Sequence, residues 1–210
     1  VSEPRTVQPF KYLVVEDFLH VELVEGTMGQ IELNGDENII LFLEIKEEGD
    51  TLKVGIDQTK SFNSTKPLTA VVRVDTGLQI IRQVGNGYIA NVGELNLGNI
   101  RLDNHSYDGR MELNLSANTI RVSHIGDSSI DLAGTAESVD FQGIGSGSFQ
   151  SKNLQARNVS IDLNGSIYFE VNASDKLSLN CRGSGQIKYR GNPAEIEKTL
   201  VGSFRLREID

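Results

Sequence analysis

The sequence has one cysteine, no tryptophan and no long apolar run, and each shortage excludes a class of protein. The single cysteine, Cys181, excludes both a disulfide within the chain and a zinc site made of cysteines. It follows Leu177 and Leu179 at a two-residue spacing, which indicates a buried thiol rather than a nucleophile. No stretch is long and apolar enough to cross a membrane as a helix.

Positive charge is in short supply as well. The 20 Lys and Arg residues are outnumbered by 29 Asp and Glu, which gives a net charge of -9. This balance argues against a nucleic-acid ligand and against an anionic membrane surface, because both attract basic proteins. The chain starts at Val1 rather than at a methionine. This start is compatible with a signal peptide that has been removed.

Two-residue alternation of apolar and polar side chains is the main pattern present, and helical periodicity is almost absent. Over residues 1–76, runs such as the one containing Leu19 and Val21 place apolar residues on one face, as in half-buried β-strands. A Gly-Asp turn at Gly49 separates two such runs. It predicts a β-hairpin over residues 39–56.

A 19-residue repeat occupies most of residues 77–210. Each copy contains a turn-forming dipeptide, and these dipeptides begin at Tyr107, Gly126, Gly145, Asn164, Gly183 and Gly202. Four residues after each start lies an apolar residue, and this column reads Met111, Ile130, Phe149, Tyr168, Ile187 and Leu206. A second apolar set follows later in each copy. It is shifted by one residue in the copy that contains Val159, which indicates a bulge or a longer turn.

Repeats of this length are typical of a β-solenoid. Nineteen residues can form about three short strands joined by corners, and only stacked copies bury the apolar columns. We therefore predict an all-β chain forming one domain, a right-handed single-stranded parallel β-helix. In this prediction residues 1–76 start the helix or cap its open end, and residues 77–210 form its repeated rungs.

Several glycine-serine phrases at this spacing carry a resemblance to a known family. They are Gly145-Ser146-Gly147, Gly183-Ser184-Gly185, Tyr189-Arg190-Gly191-Asn192-Pro193 and Val201-Gly202-Ser203, with a similar N-terminal phrase over residues 14–26. With these phrases the chain resembles the bacterial family described as putative auto-transporter adhesin, head GIN domain. The resemblance implies an exported, envelope-associated protein on a β-helix. Such a protein has lost its signal peptide and lies in the periplasm, at the outer membrane or on the cell surface. The resemblance supplies no catalytic residues.

The position after each residue of the first apolar column is a candidate binding surface. It should face outward, because side chains alternate between the two faces of a strand, and it reads Glu112, Asp131, Gln150, Phe169, Lys188 and Arg207. Asp108 and Asp127 form a second acidic pair at the corner of the repeat. The candidate ligand-binding residues are therefore Asp108, Glu112, Asp127, Asp131 and Phe169. Phe169 is included as an outward aromatic ring suited to a sugar or a protein.

Neither a cofactor nor a metal site is predicted. His105 and His124 are 19 residues apart, but a metal site needs further ligands. His124 is in step with Ile120 and Val122 and should point inward, whereas His105 is out of step. No catalytic constellation is recognisable among these residues.

We expect a non-enzymatic protein of the cell envelope or surface that binds a carbohydrate or a surface protein on a flat flank of the β-helix. A homo-oligomer is compatible with this role. One alternative is a polysaccharide lyase or hydrolase that works from the four candidate carboxylates. The other is an envelope scaffold that assembles end to end through exposed rungs. The charges of Arg205, Arg207 and Glu208 argue against such open stacking.

Overall fold

The fold is described by a computed structural model, which covers residues 1–57, 59 and 68–209. These residues form one mixed β-sheet of thirteen strands, so the all-β prediction is confirmed. The strands are β1 (Ser2–Thr6), β2 (Tyr12–Glu16), β3 (His20–Glu25), β4 (Gln30–Asn34), β5 (Leu43–Glu48), β6 (Thr51–Ile56), β7 (Thr69–Val74), β8 (Ile80–Val84), β9 (Tyr88–Val92), β10 (Leu95–Asn96), β11 (Asn99–Ser106), β12 (Arg110–Arg190) and β13 (Glu195–Glu208). A short 3-10 turn, Ile40–Phe42, precedes β5.

Strands of the repeated part pair in parallel with the chain one repeat further on. Leu102 of β11 lies beside Val122 of β12, and β12 pairs in the same way with β13. Within β12 the corners of consecutive copies touch, since a Cβ added to Gly145 would lie 2.1 Å from the carbonyl oxygen of Gly126. Gly145 also has a φ of 124°. Only glycine therefore fits this corner without strain.

One copy of the repeat is a residue longer than the sequence spacing predicts, and the next is a residue shorter. Gly145 contacts Gly165, and Gly165 contacts Gly183, at intervals of 20 and 18 residues rather than 19. Phe169 is consequently fully buried, with its ring centroid 4.9 Å from that of Phe141. The prediction that Phe169 faces outward is wrong. The extra residue upstream exchanges the two faces of this strand, because side chains alternate with a period of two.

The N-terminal strands β2 and β3 lie between strands that come much later in the chain. β2 pairs in parallel with β6 on one side and with β8 on the other. β3 pairs in parallel with β7 and β9 in the same manner. The order of strands in the sheet therefore differs from their order in the sequence, which alternation of side chains does not reveal.

Antiparallel strands lie on the outer side of this N-terminal region. β5 pairs antiparallel with β6, which confirms a hairpin within the predicted range of residues 39–56. The hairpin begins at Leu43, because residues 40–42 form the 3-10 turn. β4 pairs antiparallel with β7, and β1 with β4. These three pairs make the sheet mixed, whereas the repeat alone predicted parallel pairing. They place antiparallel neighbours on β6 and β7, the outermost of the parallel strands at this side.

The apolar columns form a core that extends along the sheet. Three phenylalanine rings, those of Phe141, Phe149 and Phe169, pack together with centroids 4.9 to 5.6 Å apart. Cys181 is fully buried in this core, which confirms the prediction of a buried thiol. Burial raises the pKa of the Cys181 thiol to about 11, so the sulfur is a poor nucleophile near neutral pH.

Candidate functional site

Consecutive copies within β12 form a concave polar surface together with β9. We call this surface the polar groove. It has a volume of about 420 Å³, and its partly exposed apolar side chains are those of Ala90 and Ala133. The polar side chains that line it are Tyr88, Asn91, Glu112, Asn114, Asp131, Gln150, Lys152 and Asn153. Glu112, Asp131 and Gln150 come from the outward position of three successive copies, as the sequence predicted.

An arginine that the sequence pattern did not single out joins the two groove carboxylates. Arg110 forms ion pairs with Glu112 and with Asp131, and the Arg110 Nη2 to Asp131 Oδ2 distance is 3.0 Å. Tyr88 donates a hydrogen bond to Glu112 at 2.5 Å. Burial and this hydrogen bond raise the pKa of Tyr88 to about 12. The signal for Arg110 was its position two residues before Glu112, on the same face of the strand.

The amides of the groove are held by hydrogen bonds to the backbone. The side-chain nitrogen of Asn91 donates to the carbonyl oxygens of Gly93 at 2.9 Å and Asn114 at 3.1 Å. Its side-chain oxygen accepts from the backbone N–H of Asn114 at 2.7 Å. Asn91 therefore has a fixed orientation on the groove wall, because both ends of its amide are engaged.

A second cluster of charged side chains continues the same face beyond Lys152. Glu170 is 7% exposed, and it occupies the outward position that the sequence spacing gave to Phe169. Lys188 donates to Glu170 at 3.2 Å and to the Tyr168 hydroxyl at 2.8 Å. Tyr168 in turn donates to Glu170. The hydrogen bond from Tyr168, aided by Lys188 and Lys152, lowers the pKa of Glu170.

The corner carboxylates do not belong to the groove. Asp108 and Asp127 are exposed at the corner, and neither lines the groove. The side-chain oxygen of Asn86 accepts from the backbone N–H groups of Tyr107 and Asp108 at 3.3 and 3.1 Å. Of the four predicted carboxylates, the fold brings together Glu112 and Asp131 only. In residues 1–57, 59 and 68–209, no three His, Cys, Asp or Glu side chains form a group that could hold a metal ion.

A chain of buried polar side chains runs through the core near β8 and β11. Asn104 donates to Gln83 at 2.9 Å and accepts from Ser128 at 2.5 Å. The hydroxyl of Ser128 lies 3.4 Å from Nδ1 of His124, and Nε2 of His124 lies 2.8 Å from the carbonyl oxygen of Ser146. We call this set the buried polar chain. Polar residues at positions in step with apolar columns were the available signal for it.

The two histidines have the separate positions that the sequence predicted. His124 is buried and His105 is exposed. The residue beside His124 in the neighbouring strand is Asn104, so the histidines do not stack. Burial lowers the pKa of His124, which keeps the ring neutral in the folded chain at neutral pH.

An exposed apolar row lies on the opposite side of the corner glycines from the groove. Val84, His105 and Ile125 are neighbours across three strands, and Ile144 lies one repeat further on. Val84, Ile125 and Ile144 are all more than 40% exposed. We call these three residues the outer ridge. Exposed apolar residues in a row are typical of contact surfaces for proteins.

Comparisons with known proteins match the chain to one family model. The family model described as putative auto-transporter adhesin, head GIN domain, matches residues 9–193. No curated protein matches the chain significantly by sequence. Within the described residues, no helix is long and apolar enough to cross a membrane.

Solved structures share the fold over the whole chain. A putative adhesin from Bacteroides fragilis superposes with a TM-score of 0.90 at 22% identity, covering 100% of this chain and 96% of that one. A putative adhesin from Parabacteroides distasonis gives 0.68 at 19%, with coverage of 100% and 96%. A putative lipid binding protein from the same species gives 0.66 at 21%, with coverage of 100% and 97%. Identities this low establish a shared fold and no shared ligand.

Proposed function

Because the chain belongs to the family of putative auto-transporter adhesins with a head GIN domain, we propose that it is an exported envelope protein that binds carbohydrate in the polar groove. The observation that carries this proposal is the fixed row of Tyr88, Glu112, Arg110 and Asp131 along a groove of about 420 Å³. Ionised carboxylates accept hydrogen bonds, and amides both accept and donate them, so together they can serve both roles of a sugar hydroxyl group.

The groove is organised before any ligand arrives. Arg110 holds both carboxylates, Tyr88 holds Glu112, and Asn91 is held by the backbone. Side chains that are already ordered lose little conformational entropy on binding. The partly exposed side chains of Ala90 and Ala133 add apolar surface for the carbon side of a sugar ring. These features favour recognition of a polar ligand with a weakly apolar face.

The repeated geometry also favours a polymer of repeating units. We propose that the parallel strands wind as a right-handed β-helix, which the registers of one repeat between β11, β12 and β13 support. Neighbouring strands lie about 4.8 Å apart, so equivalent side chains recur along the face at this interval. A glycan chain lying along the groove would meet Glu112, Asp131 and Gln150 in turn.

Binding without catalysis is part of the proposal. A glycosidase needs one carboxyl group that keeps its proton and a second that stays charged, on either side of the bond to be broken. Arg110 instead lies between Glu112 and Asp131 and pairs with both. Asp108 and Asp127 lie at the corner, away from the groove. This arrangement favours two acceptors over an acid and a base.

The proposal is tested by a glycan array followed by calorimetric titration of the glycans retained. Replacing Asp131 by Asn, or Glu112 by Gln, should weaken binding about tenfold or more, because a hydrogen bond to a charged group is lost. Asp127→Asn is the matched control, since this exposed carboxylate belongs to the same copy of the repeat. Equal affinity in the Asp131 and Asp127 variants would refute the groove as the site. Release of reducing ends that Asp131→Asn abolishes and Asp127→Asn retains would instead support an enzyme.

The outer ridge supports a second candidate function, binding of a surface protein. Replacing Ile125 and Ile144 by Thr removes apolar area and keeps β-branched side chains in the strand. If the ligand is a protein bound at the ridge, this double variant loses binding and Asp131→Asn keeps it. The opposite result supports the groove. The two surfaces are therefore distinguished by one pair of variants.

A further inference from the structure

The last described strand, β13, has one hydrogen-bonded edge and one open edge. It pairs with β12 over all of its residues, Glu195–Glu208, and with no other strand among the described residues. Ile196, Leu200, Phe204 and Leu206 lie in the inward row, over the core of β12, and remain partly exposed. A long strand edge beside a partly exposed core is a surface that favours pairing with another strand.

The outward side chains of β13 divide by charge into two arms. The arms, residues 195–200 and 202–207, are equal in length and meet at Val201, which is 56% exposed. Glu195 and Glu197 are the outward charges of the first arm, and Arg205 and Arg207 those of the second. Among the described residues neither arginine forms an ion pair. Lys176 is shared by the two glutamates, at 3.1 and 2.9 Å.

We propose that two copies of this chain form a closed dimer, end to end, by antiparallel pairing of β13 about Val201. A two-fold axis through Val201 places Glu195 opposite Arg207 of the second copy, and Glu197 opposite Arg205. Opposite charges across an antiparallel pair are stabilising. The pattern is self-complementary, as a two-fold interface requires.

The inward side chains of β13 are also complementary about the two-fold axis through Val201. Side chains alternate without a change of phase through Val201 and the neighbouring corner at Gly202, since Leu200 and Phe204 both pack toward the core. The axis therefore sets inward residues against inward residues. Ile196 lies opposite Leu206 of the second copy, which covers apolar surface on both. Lys198 lies opposite Phe204, where an ammonium group beside an aromatic ring is favourable.

Parallel stacking of one copy on another in an open filament lacks this match. In an open filament the β13 edge of one copy would pair with the N-terminal edge of the next copy. Arg205 and Arg207 would then lie opposite strands of that N-terminal end and not opposite a second β13. That end carries the antiparallel strands β1 and β5. The charge pattern of β13 is satisfied by a second β13 running the other way, and the dimer then leaves no open β13 edge.

Charge reversal tests the proposal by sedimentation velocity of the intact chain. The wild type should sediment as a dimer of two 23.0 kDa chains. Arg205→Glu with Arg207→Glu makes both arms acidic, and Glu195→Arg with Glu197→Arg makes both arms basic. Each double variant alone should dimerise at least tenfold more weakly. An equimolar mixture should regain the dimer, because every opposed pair is then of opposite charge. Circular dichroism verifies that each variant is folded.

Three outcomes overturn the proposal. A wild type that stays monomeric up to millimolar concentration excludes the dimer. Species that grow beyond the dimer with concentration exclude a closed interface. A mixture of the two double variants that behaves as the sum of its parts excludes the opposed charge pairs, even if the wild type dimerises by another surface.

A cysteine placed on the axis tests the register. Val201→Cys should form a disulfide-linked dimer on oxidation, because directly opposed side chains of antiparallel strands lie about 5 Å apart at Cβ. Ser203→Cys is the matched control, since it faces Thr199 of the second copy and should link only to a Thr199→Cys chain. Cys181 is fully buried and does not compete. A disulfide-linked dimer of the Ser203→Cys chain without a Thr199→Cys partner would overturn the proposed axis. The absence of a disulfide-linked dimer in Val201→Cys would overturn it as well.

Discussion

The N-terminal and the repeated parts of the sheet end in edge strands of different kinds. In the N-terminal part, antiparallel strands flank the parallel ones, and the edge strands β1 and β5 are short. β1 contains Pro4, which lacks an N–H for further pairing, and β5 contains Lys46 among three glutamates. Proline and charge are devices that block edge-to-edge pairing.

The repeated part ends in a longer strand in which the charges are grouped by sign. β13 has no proline, and its side chains are divided into an acidic and a basic arm. Its inward row is still apolar enough to pack on β12. The comparison teaches that one edge is built to reject a neighbouring strand and the other to accept a particular one.

The largest difference between the two parts is expected in the free energy of unfolding that is lost when a phenylalanine is replaced by alanine. Phe169→Ala empties a fully buried site in the repeated part and should lower the free energy of unfolding by about 3–5 kcal/mol. Phe18→Ala removes a ring that is 57% exposed in a turn of the N-terminal part, so less than about 1 kcal/mol is expected. Urea denaturation measures both. Similar small losses would mean that Phe169 faces solvent and that the 19-residue register holds throughout.

A smaller difference is expected between glycines at the turns of the two parts. Gly145→Ala brings a Cβ to 2.1 Å from the carbonyl oxygen of Gly126, and with the positive φ this should cost on the order of 3 kcal/mol. Gly49 also has a positive φ, but nothing lies within 4 Å of an added Cβ. Gly49→Ala should therefore cost only about 1 kcal/mol. Thermal melts that rank the two variants in the reverse order would contradict close stacking at the repeat corner.

The smallest effect concerns the buried polar chain, where the two parts meet at β8. Burial lowers the pKa of His124 in the folded chain, whereas the unfolded chain has a value near 6.5. The unfolded state thus binds more protons below pH 6.5, so stability should be highest above it and fall as the pH decreases. One proton limits the slope to about 1.4 kcal/mol per pH unit. Urea titrations from pH 8 to 5 measure it, and His124→Gln should flatten it.

A slope that persists unchanged in His124→Gln would assign the pH dependence to other groups. The same variant tests the hydrogen bond to Ser146, because glutamine can replace one ring nitrogen as a donor. A large loss of stability at pH 8 would show that the shape of the imidazole matters there in addition to its neutrality.

The sequence predicted the orientation of Glu112 and Asp131 correctly and that of Phe169 wrongly, and the flat flank that it predicted is a concave groove at these residues. Glu112 and Asp131 lie on the same face because their copies follow the 19-residue spacing and side chains alternate regularly within each copy. The prediction for Phe169 was wrong because one added residue upstream exchanges the two faces of the strand. Side chains alternate with a period of two, so a shift of one residue moves each of them to the opposite face. Arg110 and Glu170 were missed for a related reason. Their importance depends on partners in neighbouring strands rather than on neighbours in sequence.

The sequence by itself determined the β class, the hairpin that covers residues 43–56, the buried thiol of Cys181 and the inward position of His124. Each of these follows from local alternation and turn residues, which act over a few positions. The tertiary structure alone decided that β2 and β3 lie between later strands, that Arg110 joins two carboxylates, and that β1 and β5 form blocked edges. Those features depend on which distant segments pair, and backbone hydrogen bonds between strands carry no sequence code of their own.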